Sequence, residues 1–507
     1  MTLEGGEAYP HRRMITLSVM LASIMQALDN TIANVALPDI QGTLSTTQDQ
    51  ITWVLTSYII AAAIMTPLSG WLAGRLGRRR VFLASIVGFT VASSLCGLAQ
   101  TLPQMVAARL LQGIAGAALI PMSQAALLDI NPPQHHARAM ALWVMGVVLG
   151  PIVGPVLGGW LTENYNWRWV FYINVPFGVL SFLGVASFMR ETPIRRSAFD
   201  FFGFATLSLA IGALQLMLDR GQLKDWFASN EIRIEAGIAL LALYLFIVHM
   251  LTTAKTPFIS PALFRDRNFV TGNVFIFVVG AVLFATLALL PPLMQDLLGY
   301  PVVLTGLLTA PRGIGTLVAM FVVGRIVGRV DARLIIGAGF ALTAYSAWQM
   351  GSFYLQMDSL PLLWSGLAQG LGTGLVYVPL ATITFATLPA QWRNEGTAMF
   401  SLVRNVGSSI GISFVETMLV RGSQTLHARL AEHVNPYRGG LFETLPHSPA
   451  ALARLDAMVS SQALMIAYDN DFKLMMVLSL LALPLIALLR GAHGKAARTS
   501  AEPAVLE

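Results

Sequence analysis

The sequence has little charge and almost no cysteine. Only 11% of its 507 residues are charged, and its one cysteine is Cys96. A single thiol cannot build a disulfide framework within the chain. Soluble globular proteins carry about 25% charged residues, so the composition excludes an ordinary soluble enzyme. The net charge of +6 does not predict nucleic-acid binding, because the basic residues lie between apolar blocks and not on one compact face.

Motifs of enzymatic and ATP-driven chemistry are also lacking. The sequence contains no Walker A pattern, no zinc-ligand pair and no nucleophile elbow in a loop that could present it. Its glycine-rich runs lie inside apolar blocks. We therefore expect neither an enzyme nor an ATP-driven pump, and we expect no cofactor and no metal.

Apolar residues are abundant instead, at 55% of the chain with a mean hydropathy of +0.66. They form blocks of roughly 18 to 25 residues, the length that an α-helix needs to cross about 30 Å of hydrocarbon. The blocks predict an all-α integral membrane protein with about fourteen transmembrane helices. The predicted spans are residues 14–36, 51–73, 81–99, 105–128, 139–161, 169–189, 201–218, 234–252, 269–294, 304–327, 334–353, 361–388, 398–420 and 472–489.

The distribution of basic residues predicts the orientation. An even number of spans places both termini on one side, and about twenty of the 32 lysines and arginines fall on that side, which marks it as cytoplasmic. The first block is not a cleaved secretory signal, because Asp29 and Asn30 lie within it and a short apolar region with a cleavage site is missing.

A weak internal repeat divides the chain. Gly/Arg-rich turns at 70–80 and 324–333 each follow the second span of a group of six. Such repeats are typical of secondary transporters, although short cytoplasmic loops are often basic in any membrane protein. The predicted domains are an N-terminal six-helix bundle at 1–199, two linker helices at 200–253, a C-terminal six-helix bundle at 254–490 with a long periplasmic loop at 422–471, and a cytoplasmic tail at 491–507.

The first span carries a polar stripe. Gln26, Asp29, Asn30, Ala33 and Asn34 share one arc of roughly 140° on a helix. A charge at mid-bilayer costs about 3 kcal/mol on insertion scales, so the stripe must face a cavity or another helix. Asp29 is therefore a candidate proton carrier, and the alternative is a structural polar contact that does not titrate.

The fourth span presents an arginine beside small residues. Arg109, Gln112, Gly113 and Gly116 share one helix face. Arg109 is the natural counter-charge for an acid in the same half. The alternative is that its side chain reaches back to the membrane interface.

The fifth span has glycines at strict four-residue spacing, which stacks them on one side of a helix. The neighbouring prolines remove hydrogen bonds and bend the span. This pattern predicts a smooth seam on which one bundle rocks against the other, and the alternative is a tight helix crossing. The residues are Gly146, Gly150, Gly154 and Gly158, with Pro151 and Pro155 between them.

The second half also contains ionisable residues within predicted spans. Arg404 lies beside Asn405 in the thirteenth span, and Glu416 follows it. Glu416 is either a second titratable site or an interfacial carboxylate. Arg312, after Pro311 in the tenth span, is equally ambiguous.

The long external loop has helical spacing at 424–434 and again at 449–468. A hairpin of this size exceeds what a connector requires, so docking to a partner is plausible. His427, His433 and His447 lack the spacing of metal ligands and are interpreted as solvated.

These residues resemble the major facilitator superfamily, specifically its fourteen-span drug:proton antiporter branch, and most closely its EmrB-type multidrug exporters. Residues 28–38 resemble the first-span motif of that branch, 109–113 the fourth-span motif associated with proton coupling, and 150–159 the fifth-span motif characteristic of antiporters. Residues 218–221 and 225–227 resemble an external loop of the EmrB type. The resemblance covers nearly the whole chain.

The resemblance implies two six-helix bundles with two additional helices, and proton-driven export of hydrophobic drugs across a bacterial inner membrane by alternating access. It also implies a periplasmic adaptor of the EmrA type and an outer-membrane channel as partners. A facilitator or importer on the same fold, and a membrane scaffold that recruits periplasmic partners, are the alternatives.

Residues and resemblance together predict the functional sites. One departure is Gly74, which stands where the superfamily usually has an acid in its second-to-third loop, so that Asp129 is the candidate replacement. The predicted proton-coupling residues are Asp29, Arg109, Arg404 and Glu416, the substrate-binding residues are Gln26, Asn30, Asn34 and Gln112, and the gating residues are Gly70, Gly77, Arg78, Gly150, Pro151, Gly154, Pro155 and Gly158.

Overall fold

The structure is a computed structural model that describes residues 11–132, 135–194, 198–253, 257–326, 329–434 and 449–489. The predicted tail at 491–507 lies outside this part. Fourteen long helices follow one another within it. They are α1 (Arg12–Leu44), α2 (Trp53–Leu76), α3 (Arg78–Leu98), α4 (Leu102–Ile130), α5 (His136–Asn164), α6 (Trp169–Phe188), α7 (Phe201–Arg220), α8 (Asn230–Thr252), α9 (Arg267–Leu297), α10 (Val302–Ile326), α11 (Ala332–Met350), α12 (Leu360–Ala386), α13 (Arg393–Ala431) and α14 (Pro449–Leu488).

Twelve of these helices, counted over the described residues, are long and apolar enough to cross a membrane. The other two are α5, which packs between α1 and α10, and α11, which packs between α12 and α14. The prediction of an all-α membrane protein with about fourteen helices is thereby confirmed. We call α1–α6 the amino-terminal half and α9–α14 the carboxy-terminal half. The terminal side is where α1 begins and α14 ends, and the other is the far side.

The last two helices are longer than their predicted spans. Helix α13 has 39 residues, or about 58 Å at 1.5 Å per residue, and α14 is similar. Both exceed the 40–45 Å of a whole bilayer and project from the far side. The predicted helical stretches at 424–434 and 449–468 are thus continuations of the spans and not a separate hairpin. His447 lies outside the described residues.

The apolar core shows how the halves meet. On the terminal side, one cluster joins residues of both halves, among them Trp143, Phe269 and Phe400. On the far side, each half has its own cluster, one around Phe171 and one around Phe472. The halves are therefore packed together on the terminal side, and their cores part toward the far side.

Helices α7 and α8 pack on each other, and Asp200 fixes their terminal-side ends. Its carboxylate caps α7 by accepting from Gly203 N at 2.9 Å, and it also accepts from His249 Nε2 at 2.9 Å and Phe258 N at 3.1 Å. Burial opposes the charged form, but these hydrogen bonds outweigh it and lower the pKa of Asp200. One carboxylate thus joins α7, α8 and the segment that leads into α9.

The far-side end of α7 contacts both halves. Thr56 of α2 donates a hydrogen bond to Asp219, while Ser413 of α13 donates to the Leu218 carbonyl at 2.8 Å. The α7–α8 connection adds a bond from Trp226 Nε1 to Thr417 Oγ1 at 2.9 Å. The additional helix pair therefore bridges α2 and α13 where the two cores are separate.

Candidate functional site

Asp29 is the centre of a buried polar cluster in the amino-terminal half. Its side chain is fully buried, and three donors from two other helices bind its carboxylate. Arg109 Nη1 lies 2.7 Å from Oδ2, and Gln112 Nε2 and Asn174 Nδ2 each lie 2.8 Å from Oδ1. Both oxygens of the carboxylate therefore accept hydrogen bonds.

Arg109 is equally enclosed and does not reach back to the interface. It is 1% exposed, and its Nε donates to the Val54 carbonyl of α2 at 3.0 Å. Its guanidinium lies 4.3 Å from the ring centre of Tyr58, an arrangement that favours a cation over an aromatic face. Charge pairing, hydrogen bonds and ring contacts together offset the cost of desolvating both ions.

Asn174 is a member of the cluster that sequence reasoning missed. It lies on α6 and donates to Ser93 Oγ at 2.9 Å as well as to Asp29. The signal was present, since a fully buried asparagine in a predicted span is as anomalous in lipid as the polar residues of the first span.

The predicted polar stripe on α1 divides into two environments. Gln26 is buried and accepts from Ile120 N at 3.2 Å, beside the interruption of α4 between Gly116 and Leu119. Asn30 and Asn34, in contrast, are exposed. They lie on the far-side half of α1, at the level where the cores separate, and they are not among the donors that bind the Asp29 carboxylate in the described structure.

Arg404 and Glu416 do not belong to the Asp29 cluster. Both lie on α13 in the other half. Arg404 is half-buried and donates to the Tyr377 hydroxyl at 3.1 Å and to Asn405 Oδ1, whereas Glu416 is exposed near the far side. The structure therefore brings together Asp29, Arg109 and Gln112 but places these two predicted coupling residues elsewhere.

An ion triad joins the halves on the terminal side. Asp129, at the end of α4, lies 2.6 Å from Arg78 Nη2 and 2.6 Å from Arg393 Nη1 at the start of α13. Arg78 also donates to Asn394 Oδ1 at 3.1 Å. Asp129 thus places a carboxylate between an arginine of the amino-terminal half and an arginine of the carboxy-terminal half.

The glycines of the 70–80 turn differ in the space that a side chain would have. A Cβ at Gly70 would lie 3.1 Å from the Glu395 Cα, so α2 and α13 touch there through their backbones. Gly77 has φ of +91°, a conformation that glycine adopts without strain, and a side chain there would collide with the Glu191 carboxylate. At Gly74 no atom lies within 4 Å of a Cβ.

The glycine face of α5 packs inside the amino-terminal half. A Cβ at Gly150 would lie 2.6 Å from the Ala27 carbonyl carbon of α1, and one at Gly158 would lie 2.7 Å from Ile32 Cγ1. Gly154 meets Thr31 in the same way. The prediction of a seam between the two bundles is wrong for these glycines, which form a tight α1–α5 crossing. The side chains of Pro151 and Pro155 lie outside the described part.

Removing the charge of Asp129 is expected to open the terminal side. In Asp129→Asn, Arg78 and Arg393 lose their common counter-ion. For a partly exposed ion network, this loss destabilises the closed arrangement by about 1 kcal/mol. We expect a cysteine introduced by Ala73→Cys, one turn from Gly70 on α2 and 1% exposed in the parent protein, to react about fivefold faster with a soluble maleimide.

The background for this labelling is low, because the native Cys96 is buried. Glu163→Gln, at an exposed acid on the far side, is the control and should label at the parent rate. Equal labelling of the Asp129→Asn protein and its parent would contradict a role for the triad in closure.

Comparisons with known proteins find similarity along most of the chain. Residues 19–412 match the family described as the Major Facilitator Superfamily. The chain is 38% identical over 482 residues to the fatty acid resistance protein FarB of Neisseria gonorrhoeae, covering 93% of this chain and 95% of FarB. It is 37% identical over 452 residues to the multidrug export protein EmrB of Escherichia coli strain K12, covering 89% and 87%.

Solved structures support the fold. The proton:xylose symporter XylE superposes with a TM-score of 0.64 at 13% identity, covering 96% of this chain and 98% of XylE. The human organic anion transporter MFSD10 superposes with a TM-score of 0.62 at 15% identity, covering 94% and 100%. At such identities the likeness concerns the arrangement of helices alone.

Proposed function

Because this chain belongs to the Major Facilitator Superfamily, together with the EmrB-type exporters, we propose that it is a proton-coupled antiporter that exports hydrophobic drugs or other toxic compounds. Members of this superfamily are multi-pass membrane transporters and not enzymes. The observation that carries the proposal is the fully buried Asp29, bound by Arg109, Gln112 and Asn174, because an ionisable group at mid-membrane is costly and marks a proton or ion path.

Protonation of Asp29 would disturb the whole cluster. A protonated carboxyl carries a hydrogen on one oxygen, which makes that oxygen a weaker acceptor and a donor in its own right, so the bonds to Arg109, Gln112 and Asn174 would be weakened. It also loses the charge that balances Arg109. Each proton therefore changes how α1 is held against α4 and α6, which links the charge of one residue to the position of helices.

In the alternating-access cycle, the two halves are joined on one side of the membrane and separate on the other, and the cycle exchanges the two sides. In the outward state, Asp29 takes up a proton as the substrate leaves, and in the inward state it releases that proton as the next substrate binds. The exposed Asn30 and Asn34 line the polar part of the path, with Gln26 and Gln112 behind them. Apolar and aromatic residues accept the substrate through area burial, which favours tolerance over specificity.

The proton gradient supplies enough energy for this cycle. At a potential of about 150 mV, one charge that crosses the membrane provides roughly 3.5 kcal/mol. That energy sustains about a 300-fold concentration ratio of substrate. One proton per substrate is therefore sufficient for effective resistance.

The orientation and partners complete the proposal. We place both termini in the cytoplasm of a bacterium, with the chain in the inner membrane, so that the ion triad of Asp129 closes the cytoplasmic side and the structure is outward-facing. The predicted division into bundles at 1–199 and 254–490 with linker helices at 200–253 fits this cycle. The projecting ends of α13 and α14 would meet a periplasmic adaptor of the EmrA type, which connects to an outer-membrane channel.

Drug accumulation in energised cells tests the direction of transport. Cells that express the protein should accumulate less of a fluorescent hydrophobic dye than cells without it, and an uncoupler should remove the difference. Equal or higher accumulation in the expressing cells would indicate a facilitator or an importer. Unchanged drug susceptibility after deletion, with loss of a periplasmic complex, would indicate a scaffold.

A further inference from the structure

Arg312 is a buried arginine that has no acidic partner among the described residues. It lies on α10 and is 7% exposed. Its Nη2 donates to the Leu283 carbonyl of α9 at 3.1 Å, while its buried Nη1 has no hydrogen-bond partner in the described structure. An arginine keeps its charge in proteins, and buried charges are normally paired. This guanidinium therefore lacks the anion that its environment requires.

The internal repeat shows how the two arginines are related. A Cβ at Gly113 would lie 2.5 Å from the Tyr58 carbonyl oxygen, and Gly370 meets the Arg312 carbonyl in the same way. Gln112-Gly113 on α4 thus corresponds to Gln369-Gly370 on α12, and Tyr58 on α2 corresponds to Arg312 on α10. Gly70 and Gly324, which follow Tyr58 and Arg312 at the same spacing, give the same alignment.

The equivalent of Arg109 in this alignment is Gly366, and a Cβ there would lie 3.8 Å from the Arg312 Cβ. In the amino-terminal half, the side chains at these two positions touch, since Arg109 lies over the Tyr58 ring. In the carboxy-terminal half, the arginine therefore lies on α10, which corresponds to α2, and not on α12, which corresponds to α4. The position on α12 that faces it is Gly366, which has no side chain.

The equivalent of Asp29 is apolar. Gly150 faces Ala27 at the α1–α5 crossing, and Gly407 faces Phe277 at the α9–α13 crossing. This register places Val279 where the amino-terminal half has Asp29. Arg109 therefore has a carboxylate partner on a helix of its own half, whereas Arg312 has none among the described residues.

The surroundings of Arg312 indicate what kind of anion fits. Leu283, whose carbonyl binds the guanidinium, lines a small cavity of mixed character. Its other lining residues are the apolar Val279, Val282, Phe340 and Val376 and the polar Thr343, Gln369, Thr373 and Ser479. Helix α10 also forms the contact between the halves, since Gly306 faces Val156 and Gly324 faces Ala141 of α5. Arg312 lies between those two glycines in the sequence of α10, and its own contacts are with α9 and α12.

We infer that Arg312 binds the anionic group of an amphipathic organic acid, such as the carboxylate of a medium- or long-chain fatty acid, during transport. The apolar residues of α9 and α12 receive the hydrocarbon part. This inference rests on the proposed export function and assigns the substrate's charged group to the carboxy-terminal half. The proton of Asp29 and the anion at Arg312 then occupy different halves.

A matched pair of ligands tests the assignment. Dodecanoate and dodecan-1-ol have the same chain and differ in the charged head. We expect the purified wild-type protein at pH 8 to bind dodecanoate about 10- to 100-fold more tightly than dodecan-1-ol, the range for a hydrogen bond to a charged group. Arg312→Gln should remove this preference, while Arg312→Lys, which keeps the charge but loses the fork of donors, should retain part of it.

A second variant tests the same point without removing the arginine. Gly366→Glu supplies an internal carboxylate beside Arg312, so it should abolish the preference for dodecanoate and raise the unfolding temperature. Gly366→Ala, whose Cβ fits at 3.8 Å, is the matched control and should keep the preference. This pair of variants also decides the case if Arg312→Gln fails to fold.

Two results would overturn the inference. One is equal binding of the two ligands by the wild-type protein, and the other is an unchanged dodecanoate preference in Arg312→Gln or Gly366→Glu. Failure of the proposed function is seen separately, as the absence of uncoupler-sensitive export of a neutral dye. Export of that dye by the wild-type protein and by Gly366→Ala, with the dodecanoate preference kept in both, is the expected combination.

Discussion

Substrate-induced proton release disappears when Asp29 is replaced by asparagine. The amide retains a similar shape and can still accept from Arg109 or Gln112, but it binds no exchangeable proton. We therefore expect the purified Asp29→Asn protein to release no protons when a hydrophobic drug is added in weakly buffered detergent solution, whereas the wild-type protein acidifies the medium. A pH-indicator dye measures the difference.

Asp471→Asn is the matched control for this experiment. Asp471 is also a buried acid, 1% exposed, but it lies on α14 in the other half and outside the Asp29 cluster. Its replacement should leave proton release intact. Retained release in Asp29→Asn would remove Asp29 from the coupling role, and loss in both variants would point to a general defect.

Stability must be separated from coupling, because Asp29→Asn leaves Arg109 buried without its counter-ion. Breaking one partner of a buried pair costs about 3–5 kcal/mol. The double variant Asp29→Asn with Arg109→Gln removes both charges, so its free energy of unfolding should recover much of that loss. Proton release should stay absent, because the titrating group is still missing.

The pairing of Asp29 with Arg109 could be predicted from the sequence because each is too costly to leave in lipid. Helical spacing placed Asp29 and Gln112 on polar faces, and the structure brings them to 2.8 Å. The same logic predicted the helix count, and the family prediction was confirmed. Asn174 was missed only because its span was judged by its apolar residues.

Other features depend on packing that periodicity does not encode. Spacing placed Asn30 and Asn34 in one stripe with Asp29, yet they are exposed, because a helix face of roughly 140° can contact a neighbour on one edge and open space on the other. The contact of Asp129 with Arg78 and Arg393 joins helix ends that are far apart in the chain. Composition likewise could not show that α13 and α14 continue beyond the bilayer.

Two glycines of α5 can be compared, one packed against the backbone of α1 and one that faces only a side chain. In Gly150→Ala, the new Cβ would lie 2.6 Å from the Ala27 carbonyl carbon, and backbone cannot move aside as a flexible side chain can. We expect α1 and α5 to be forced apart, at a cost of about 1–3 kcal/mol in the free energy of unfolding. Because α1 carries Asp29, the separation should also weaken the bonds that hold it, so drug-induced proton release should fall together with stability.

Gly159→Ala on the same helix is the control, because its Cβ would meet only Val35 Cγ1 at 3.9 Å, an ordinary van der Waals distance. Alanine has a better helix propensity than glycine by up to about 1 kcal/mol, so this variant should be as stable as the parent protein or more stable. Thermal unfolding in detergent measures both variants. Equal stability of the two would mean that α1 and α5 can separate freely at Gly150, and that the α1–α5 crossing does not hold Asp29 in place.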